Sequence, residues 1–381
     1  MRVVISVGGR FHAIQLAEQL HARGRLERII TTKSWYVRTL FPSRKWTAIP
    51  APEYLGMLVR AVPFLRRRGW YSYVKDNLFD ALARKYIPAC DVFHAWGNYA
   101  LISMPYARRR GAVVVIERGS THPYYQDAIL REEYARFGIE AERAHPQIIE
   151  KGLREIELAD RVIIPSEFVR RTFVEHGFPD EKLAVIPYGF NPAHFHPGEK
   201  RDEVFRVLFV GNISVQKGVH YLLEAWEQLG LRNAELVFIG TVEQELKPLL
   251  ERHASRITLR GHVKHEELYR EYAQASVFVL PSLQEGSALV TYEAMACGLP
   301  LLVSENTGSI ALDGEHGFVV PIRDADAIAE KLQWSHDHPA EARAMGQQGR
   351  AYAQQFTWAR YAEQVMQVYR SVLAERGGGA E

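Results

Sequence analysis

Residues 276–304 read SVFVLPSLQEGSALVTYEAMACGLPLLVS. Two short apolar runs, SVFVLPS and PLLVS, lie on either side of a longer run, SALVTYEAMACG, that has helical spacing. Apolar runs that alternate with helices predict parallel strands buried on both faces of a sheet. The stretch therefore predicts one strand-helix-strand unit of a doubly wound α/β domain.

The same alternation extends over most of the chain. Further predicted strands are RVVISV, DVFHAWG, GAVVVIERG, ADRVIIPS and KLAVIPYG in the first half and VFRVLFVGN, AELVFIG and RITLRG in the second. Periodicity is lost between the two halves, where Pro, His and charged residues accumulate as in a linker. We predict Rossmann-like domains over 1–190 and 204–355, a linker over 191–203, and a helix over 356–381 that packs back on the first domain.

The composition is that of an ordinary globular protein. The chain has 381 residues, of which 47% are hydrophobic and 24% charged, enough for two cores. Cys90 and Cys297 lie in apolar stretches without metal-ligand spacing, which does not favour a disulfide framework or a zinc site. Because neither a signal-peptide pattern nor a run of about 18 apolar residues is present, we expect a cytoplasmic protein that does not span a membrane.

Charge is distributed unevenly along the chain. The net charge is +2, but residues 1–110 contain 19 Lys and Arg against 6 Asp and Glu, and the remainder contains 28 against 39. The basic first third predicts an anionic partner, either a phosphate-bearing acceptor or an anionic membrane face. Nucleic acid is the least favoured partner, and an ordinary solvated surface is the alternative to any partner.

One basic segment also contains large apolar residues. Residues 57–73, MLVRAVPFLRRRGWYSY, include the triplet Arg66, Arg67 and Arg68. Basic side chains interleaved with apolar ones are typical of attachment to anionic lipid, here at the inner face of the cytoplasmic membrane. Pro63 interrupts a continuous helix, which leaves an acceptor-site loop as the alternative.

Two carboxylates in the 276–304 stretch are candidates for sugar binding. Glu285 precedes a helix predicted to begin near Ser287, and Glu293 lies about two turns further along. Each carboxylate can accept hydrogen bonds from a pair of sugar hydroxyls, while the free N–H groups at the helix start can bind a diphosphate. A glutamate within an apolar helix needs a partner, so Glu293 binds either a ligand or a structural group.

Two further motifs bear on phosphate binding. In VLFVGNISVQKG, Gly211 permits a tight turn and Lys217 lies at the next helix start, where it can neutralise a phosphate or simply be solvated. Asp324-Ala325-Asp326 could hold a divalent metal, but it directly precedes a predicted helix, where aspartate is a common N-cap. We predict a cap, and neither a metal nor a cofactor.

These motifs together resemble the family 4 retaining glycosyltransferases of the GT-B fold. The pattern from Pro281 to Pro300 is the most specific, and the resemblance extends to Lys217-Gly218, ADRVIIPSE at 159–167 and VIPYGFN at 185–191. It implies an α/β protein whose two Rossmann-like domains face a central cleft. It also implies metal-independent, retaining transfer of a hexose from a nucleotide-diphosphate sugar to a glycan, lipid-linked or small-molecule acceptor, as in synthesis of cell-envelope polysaccharides.

The resemblance assigns roles to individual positions. Glu285 would hold hydroxyls of the donor sugar, Glu293 the ribose and Lys217 the diphosphate. Where the family usually has an arginine this chain has Asn212, and Arg118 is a candidate to replace that charge across the cleft. The implied catalytic residues are His122 (chosen over His94), Glu285 and Lys217. The implied donor-binding residues are Gly9, Arg118, Gly211, Asn212, Lys217, Glu285, Gly286, Ser287, Ala288, Leu289 and Glu293.

Other functions compatible with the same motifs stay open. A GT-B nucleotide-sugar epimerase would share the donor site, and a sugar-nucleotide-binding protein without transferase activity would share it without the chemistry. His122 could equally be a hydrogen-bonded structural histidine. A phosphorylase is not favoured, because no pyridoxal-phosphate lysine environment is indicated in a chain of this length.

Overall fold

The structure is a computed structural model that describes residues 1–9, 11–62, 64, 69–139 and 145–378. Within these residues the strands are β1 (Val3–Val7), β2 (Leu26–Thr31), β3 (Trp46–Ala48), β4 (Val92–Trp96), β5 (Val113–Glu117), β6 (Arg161–Ile164), β7 (Leu183–Val185), β8 (Phe205–Val210), β9 (Ala234–Ile239), β10 (Ile257–Gly261), β11 (Val277–Leu280), β12 (Leu301–Ser304) and β13 (Gly317–Val320).

Helices follow most of these strands. The α-helices are α1 (Ala13–Ala22), α2 (Ser34–Leu40), α3 (Ala51–Arg60), α4 (Trp70–Ala83), α5 (Met104–Arg109), α6 (Pro123–Arg136), α7 (Pro146–Leu158), α8 (Glu167–Val174), α9 (Val219–Gln228), α10 (Lys247–Arg252), α11 (Leu268–Gln274), α12 (Leu289–Ala296), α13 (Ala325–Asp337), α14 (Pro339–Ala353) and α15 (Trp358–Gly378). No described helix is both long and apolar enough to cross a membrane.

The strands form two separate sheets in which every described pairing is parallel. The first has the order β3-β2-β1-β4-β5-β6-β7 and the second β10-β9-β8-β11-β12-β13. In each sheet the order reverses beside its first strand, β1 or β8. The carboxyl ends of strands at such a reversal are where doubly wound sheets bind ligands. Gly8-Gly9 follows β1 and Gly211 follows β8 there.

The α/β fold is as the sequence predicts, and each of the ten predicted strands is present. The strands β2, β3 and β13 were not predicted, for two physical reasons. In β2, Glu27 and Arg28 interrupt the apolar run on partly exposed positions. The strands β3 and β13 have only three and four residues; β7 is as short as β3, but it lies in the longer apolar stretch KLAVIPYG, which predicted it.

The chain crosses between the two sheets twice, and the two crossings lie side by side. The N–H of Phe190 donates to the carbonyl of Phe356 at 3.0 Å. A Cβ atom on Gly189 would lie 2.4 Å from the backbone nitrogen of Trp358, so only glycine allows this approach. Helix α15 then packs on the first sheet, where Arg161 pairs with Glu375 at 2.6 Å.

A buried polar cluster fastens α15 to the first sheet. The Glu117 carboxylate, at the end of β5, lies against His12, is 3.2 Å from Nε2 of His94, and accepts the hydroxyl of Tyr361 at 2.6 Å. Burial disfavours the charged carboxylate, but the two histidines outweigh burial and lower the pKa of Glu117 to about 2. Tyr361 belongs to α15, so this carboxylate holds the C-terminal helix on the first domain.

We predict that Tyr361→Phe destabilises the protein by about 1.5–3 kcal/mol, the usual worth of a hydrogen bond to a charged group. The matched control is Tyr352→Phe, because no hydrogen bond of the Tyr352 hydroxyl is described and its ring contacts are kept. Urea unfolding with the two variants measures the difference. Equal midpoints for the two variants would contradict the role given to the Tyr361 hydroxyl.

The same cluster has a defined pH dependence. The pKa of Glu117 falls from 4.5 in the unfolded chain to about 2 in the folded protein. Its stabilisation is therefore fully present above about pH 4.5 and is lost as the pH falls toward 2. The destabilisation by Tyr361→Phe should accordingly be constant from pH 5 to 7.

Candidate donor-binding site

The loop after β8 delivers Lys217 to the edge of the second sheet. Gly211 has a φ of 149°, and a Cβ on Gly240 would lie 1.8 Å from its carbonyl oxygen, so the turn is closely packed. Gly218 has a φ of 66° and immediately precedes α9. A Cβ on Gly218 would lie 2.0 Å from the carbonyl oxygen of Pro281. The loop bearing Lys217 is thus held against the loop after β11.

Lys217 and Glu285 lie together in this place. Nζ of Lys217 forms an ion pair with Oε1 of Glu285, and both side chains are largely buried. The Gln216 amide donates to the same Glu285 oxygen at 3.2 Å and to the carbonyl of Gln284 at 3.0 Å. A cation able to bind phosphate and a carboxylate able to bind hydroxyls therefore share one site.

Helix α12 begins beside this pair. Its first residue is Leu289, two residues later than expected, because Ala288 keeps an extended conformation with φ −78° and ψ 106°. Among the described residues, no acceptor is found for the N–H groups of Gly286, Ser287 and Ala288. Free N–H groups at a helix start, together with the helix dipole, favour binding of an anion.

Glu293 lies within α12 and has two structural partners. Its carboxylate is 2.8 Å from Nε2 of His265 and accepts the hydroxyl of Tyr272 at 3.1 Å. Glu293 is buried, whereas the His265 side chain is 62% exposed. A ribose could reach Glu293 by displacing His265, so the predicted ligand role and the structural one are compatible.

The first domain closes over the Glu285 loop. A Cβ on Gly286 would lie 1.9 Å from the carbonyl oxygen of Gly119. The Thr121 hydroxyl donates to Oε1 of Gln284 at 3.0 Å, and the Ser166 hydroxyl donates to the carbonyl of Gly286 at 2.6 Å. The two domains therefore touch on either side of Glu285.

Arg118 is the cation directly before Gly119 at this contact. It follows β5, and its Nη2 lies 3.3 Å from the carbonyl of Thr121. Burial lowers the pKa of Arg118 to about 10. Nε is buried and has no hydrogen-bond partner. An arginine with a free buried N–H next to the cleft is suited to an anionic ligand.

The His122 ring packs within the first domain. It stacks on His176 at 4.3 Å and meets Phe173 edge-on, while the backbone N–H of His122 donates to the Thr172 hydroxyl at 3.1 Å. Burial, then His176 and Arg118, lowers the pKa of His122 to about 4, so the ring is neutral at pH 7. The structure groups His122 with helix α8, and its catalytic role stays a prediction.

The remaining predicted positions have identifiable surroundings. A Cβ on Gly9 would lie 3.2 Å from the Tyr99 hydroxyl, so the turn after β1 is closely packed. The Asn212 amide donates to Glu243 at 2.9 Å and carries no charge toward the cleft. Asp324 caps α13, since its side chain accepts from the N–H of Ala327 at 2.8 Å.

Several groups at the site were not predicted from the sequence. They are the polar residues Gln216, Gln284, Thr121 and Ser166, and the sequence motifs that contain three of them assigned these residues no role. Each forms a hydrogen bond to a residue far away in the sequence, and three of them form it to the other domain. Their only local signal is their place in loops at carboxyl ends of strands.

Two family models divide the chain between them. The model described as Glycosyltransferase Family 4 matches residues 8–194, and the model described as Glycosyl transferases group 1 matches residues 204–338. D-inositol 3-phosphate glycosyltransferase of Nocardiopsis dassonvillei is 29% identical over 248 residues, which are 58% of this chain and 58% of that protein. The chain spans about half to two thirds of the length of the curated relatives it matches.

Solved structures show the same fold. Sucrose-phosphate synthase from Thermosynechococcus elongatus has a TM-score of 0.73 at 22% identity, over 98% of this chain and 100% of that one. Anabaena HepE in complex with UDP-glucose has a TM-score of 0.67 at 17% identity, over 97% of this chain and 100% of that one. This chain belongs to the group 1, family 4 glycosyltransferases and has the GT-B fold.

Proposed function

We propose that the protein transfers a hexose from a nucleotide-diphosphate sugar to an acceptor bound mainly by the first domain. The observation that carries this proposal is the Lys217–Glu285 ion pair beside the free N–H groups that precede α12. Family membership and the UDP-glucose complex of HepE support a nucleotide-sugar donor. A glycan, a lipid-linked sugar or a small molecule would serve as acceptor.

Each group has a defined task in this reaction. The diphosphate replaces Glu285 as the partner of Lys217 and accepts from the N–H groups of Ser287 and Ala288. Glu285, released from Lys217, accepts hydroxyls of the sugar and stabilises positive charge that develops at its reacting carbon. Arg118 adds charge from the opposite domain. The bond from the anomeric carbon to the diphosphate oxygen breaks, and the acceptor hydroxyl attacks the same face while passing its proton to the departing phosphate oxygen, which retains the α configuration.

Neutralisation of the diphosphate by Lys217, Arg118 and backbone N–H groups makes a divalent metal unnecessary in this proposal. The D-x-D motif at residues 324–326 has its first carboxylate, that of Asp324, engaged as the cap of α13. A nucleotide-sugar epimerase or a non-catalytic binding protein would use the same donor groups, but neither would pass the sugar to an acceptor.

We predict that Glu285→Ala lowers turnover about 100-fold or more, a loss typical for a group that stabilises transition-state charge. Affinity for the nucleoside diphosphate should stay equal or rise, because Lys217 loses its competing partner. Turnover of the best donor from a panel of UDP-, GDP- and ADP-hexoses and calorimetry with its diphosphate measure the two effects. Parallel losses of turnover and of diphosphate affinity would contradict the assigned role.

The matched control is Glu251→Ala, which removes an exposed glutamate of the same domain and should change neither turnover nor diphosphate affinity.

We also predict that Lys217→Ala weakens binding of the nucleoside diphosphate about 10-fold or more, with little change in binding of the bare nucleoside, as expected for a charge-assisted phosphate contact. EDTA should leave wild-type turnover unchanged, and abolition by EDTA with rescue by Mn²⁺ would refute metal independence.

We further propose that the first domain attaches to an anionic membrane surface. Tyr54, Met57 and Leu58 lie at helical spacing on one side of α3, and they are 67%, 58% and 69% exposed. An exposed apolar face within the basic first third of the chain suits interfacial binding. The arginine triplet at 66–68 lies outside the described residues, so the structure gives no account of it.

We predict that the protein sediments with phosphatidylglycerol vesicles at low salt, but not with phosphatidylcholine vesicles. Met57→Ser combined with Leu58→Ser should lower the vesicle affinity about 10-fold or more, since each apolar side chain contributes about 1.5–3 kcal/mol when fully buried. Leu312→Ser, at an exposed leucine of the second domain, is the control and should change nothing. Wild-type protein that stays in solution with phosphatidylglycerol vesicles would refute membrane attachment.

A further inference from the structure

Helix α6 of the first domain ends in a buried contact with the second domain. The Glu133 carboxylate has no solvent exposure. It lies 3.0 Å from Nε2 of His220, accepts the Tyr221 hydroxyl at 2.7 Å, and accepts Nε–H of Arg323 at 2.7 Å. All three donors belong to the second domain, so these bonds exist only while the two domains are together.

The electrostatics make this contact sensitive to the separation of the domains. Burial disfavours the charged carboxylate, but the His220, Tyr221 and Arg323 contacts outweigh burial and lower the pKa of Glu133 to about 2. Separation of the domains would leave the carboxylate to water and to Arg136 of the same helix, 3.9 Å away, and would break three hydrogen bonds to a charged group. Arg323 holds a φ of 64°, an unfavourable value for a residue with a side chain. The surrounding contacts must offset that strain.

The donors come from the part of the second domain that carries the diphosphate-binding lysine. His220 and Tyr221 lie in the first turn of α9, which begins directly after Lys217-Gly218. Glu133 therefore holds the helix that follows the Lys217 loop.

The next residue of α6 reaches the other end of that loop. The Tyr134 hydroxyl donates to Glu243 at 3.2 Å, and Glu243 in turn accepts the Asn212 amide at 2.9 Å. Adjacent residues of one first-domain helix are thus linked to both ends of the loop over residues 211–218, Glu133 through His220 and Tyr221 and Tyr134 through Glu243. A rigid helix that holds a loop at two points fixes its position relative to the opposite domain.

We propose that Glu133 is a positioning residue that couples closure of the two domains to the placement of Lys217 for the donor diphosphate. It does not touch the ligand and acts through His220, Tyr221 and Arg323. The coupling to the diphosphate rests on the proposed function, whereas the coupling to closure does not. Loss of the carboxylate should shift the population toward open forms. Diphosphate affinity should then fall in proportion to the fraction of protein that remains closed.

Interdomain distance in the full chain tests closure without any ligand. Spin labels at Glu181→Cys and Glu251→Cys would report one exposed site on each domain, since the native Cys90 and Cys297 are buried. We expect one narrow distance distribution in otherwise wild-type protein and a broader, longer one after Glu133→Gln. Identical distributions would overturn the proposal.

A matched variant separates this effect from loss of an ordinary surface charge. Glu132 precedes Glu133 and binds the same Arg323 at 3.0 Å, but its side chain is 54% exposed. Exposed ion pairs contribute little to stability, so Glu132→Gln should leave the interdomain distance distribution unchanged. Tyr221→Phe removes the hydroxyl that donates to Glu133 and accepts from Arg136. Because it keeps the Glu133 charge with His220 and Arg323, it should produce a smaller opening than Glu133→Gln. Opening by Glu132→Gln equal to that by Glu133→Gln would overturn the assignment to Glu133.

Nucleotide binding tests the coupling to Lys217. The test uses whichever of UDP, GDP and ADP the wild type binds. Glu133→Gln should weaken binding of that diphosphate about 10-fold and leave binding of the matching nucleoside unchanged. A merely structural defect would weaken both ligands alike, and that result would overturn the coupling. If the wild type binds no diphosphate, the proposed function fails, while the distance measurement still decides whether Glu133 controls closure.

Discussion

The approach of two backbone segments at Gly119 and Gly286 is the constraint on which the site depends. Any side chain on Gly286 would collide with the Gly119 carbonyl oxygen, 1.9 Å from the position of its Cβ. Because this contact is backbone on backbone, it brings β5 of one sheet and the β11–α12 loop of the other within reach of one small ligand. Glu285 and the free N–H groups before α12 therefore lie on one side of this contact, and Arg118, next to Gly119, lies on the other.

The fold was largely predictable because each buried parallel strand is a run of apolar residues that can be recognised from its own local sequence. The ten predicted strands and the helix from Trp358 carry that signal. The six-residue β2 does not, because Glu27 and Arg28 interrupt its apolar run. Helix α12 starts at Leu289 rather than near Ser287 because Ala288 has an extended backbone. No side-chain pattern in the sequence indicates that backbone conformation.

The candidate site also has parts that the sequence predicts and parts that it does not. Glu285 and Lys217 each belong to a local motif, and they pair because the loops that carry them meet at one edge of the sheet. The contacts of Gln284, Glu133 and Ser166 depend on how two domains meet, which local sequence patterns do not encode. His122 illustrates the limit: its position in a strand-end loop suggested the cleft, whereas its ring packs on His176, just after α8.

The central claim is that this cleft removes a sugar from a nucleotide diphosphate and transfers it with retention. Proton and phosphorus NMR of the protein, mixed with UDP-, GDP- and ADP-hexoses and a range of sugar acceptors, tests it most directly. The account predicts that one donor releases its nucleoside diphosphate while a product anomeric proton with the donor's α configuration appears. A nucleotide sugar that binds without ever being cleaved, or a product of inverted configuration, would contradict it.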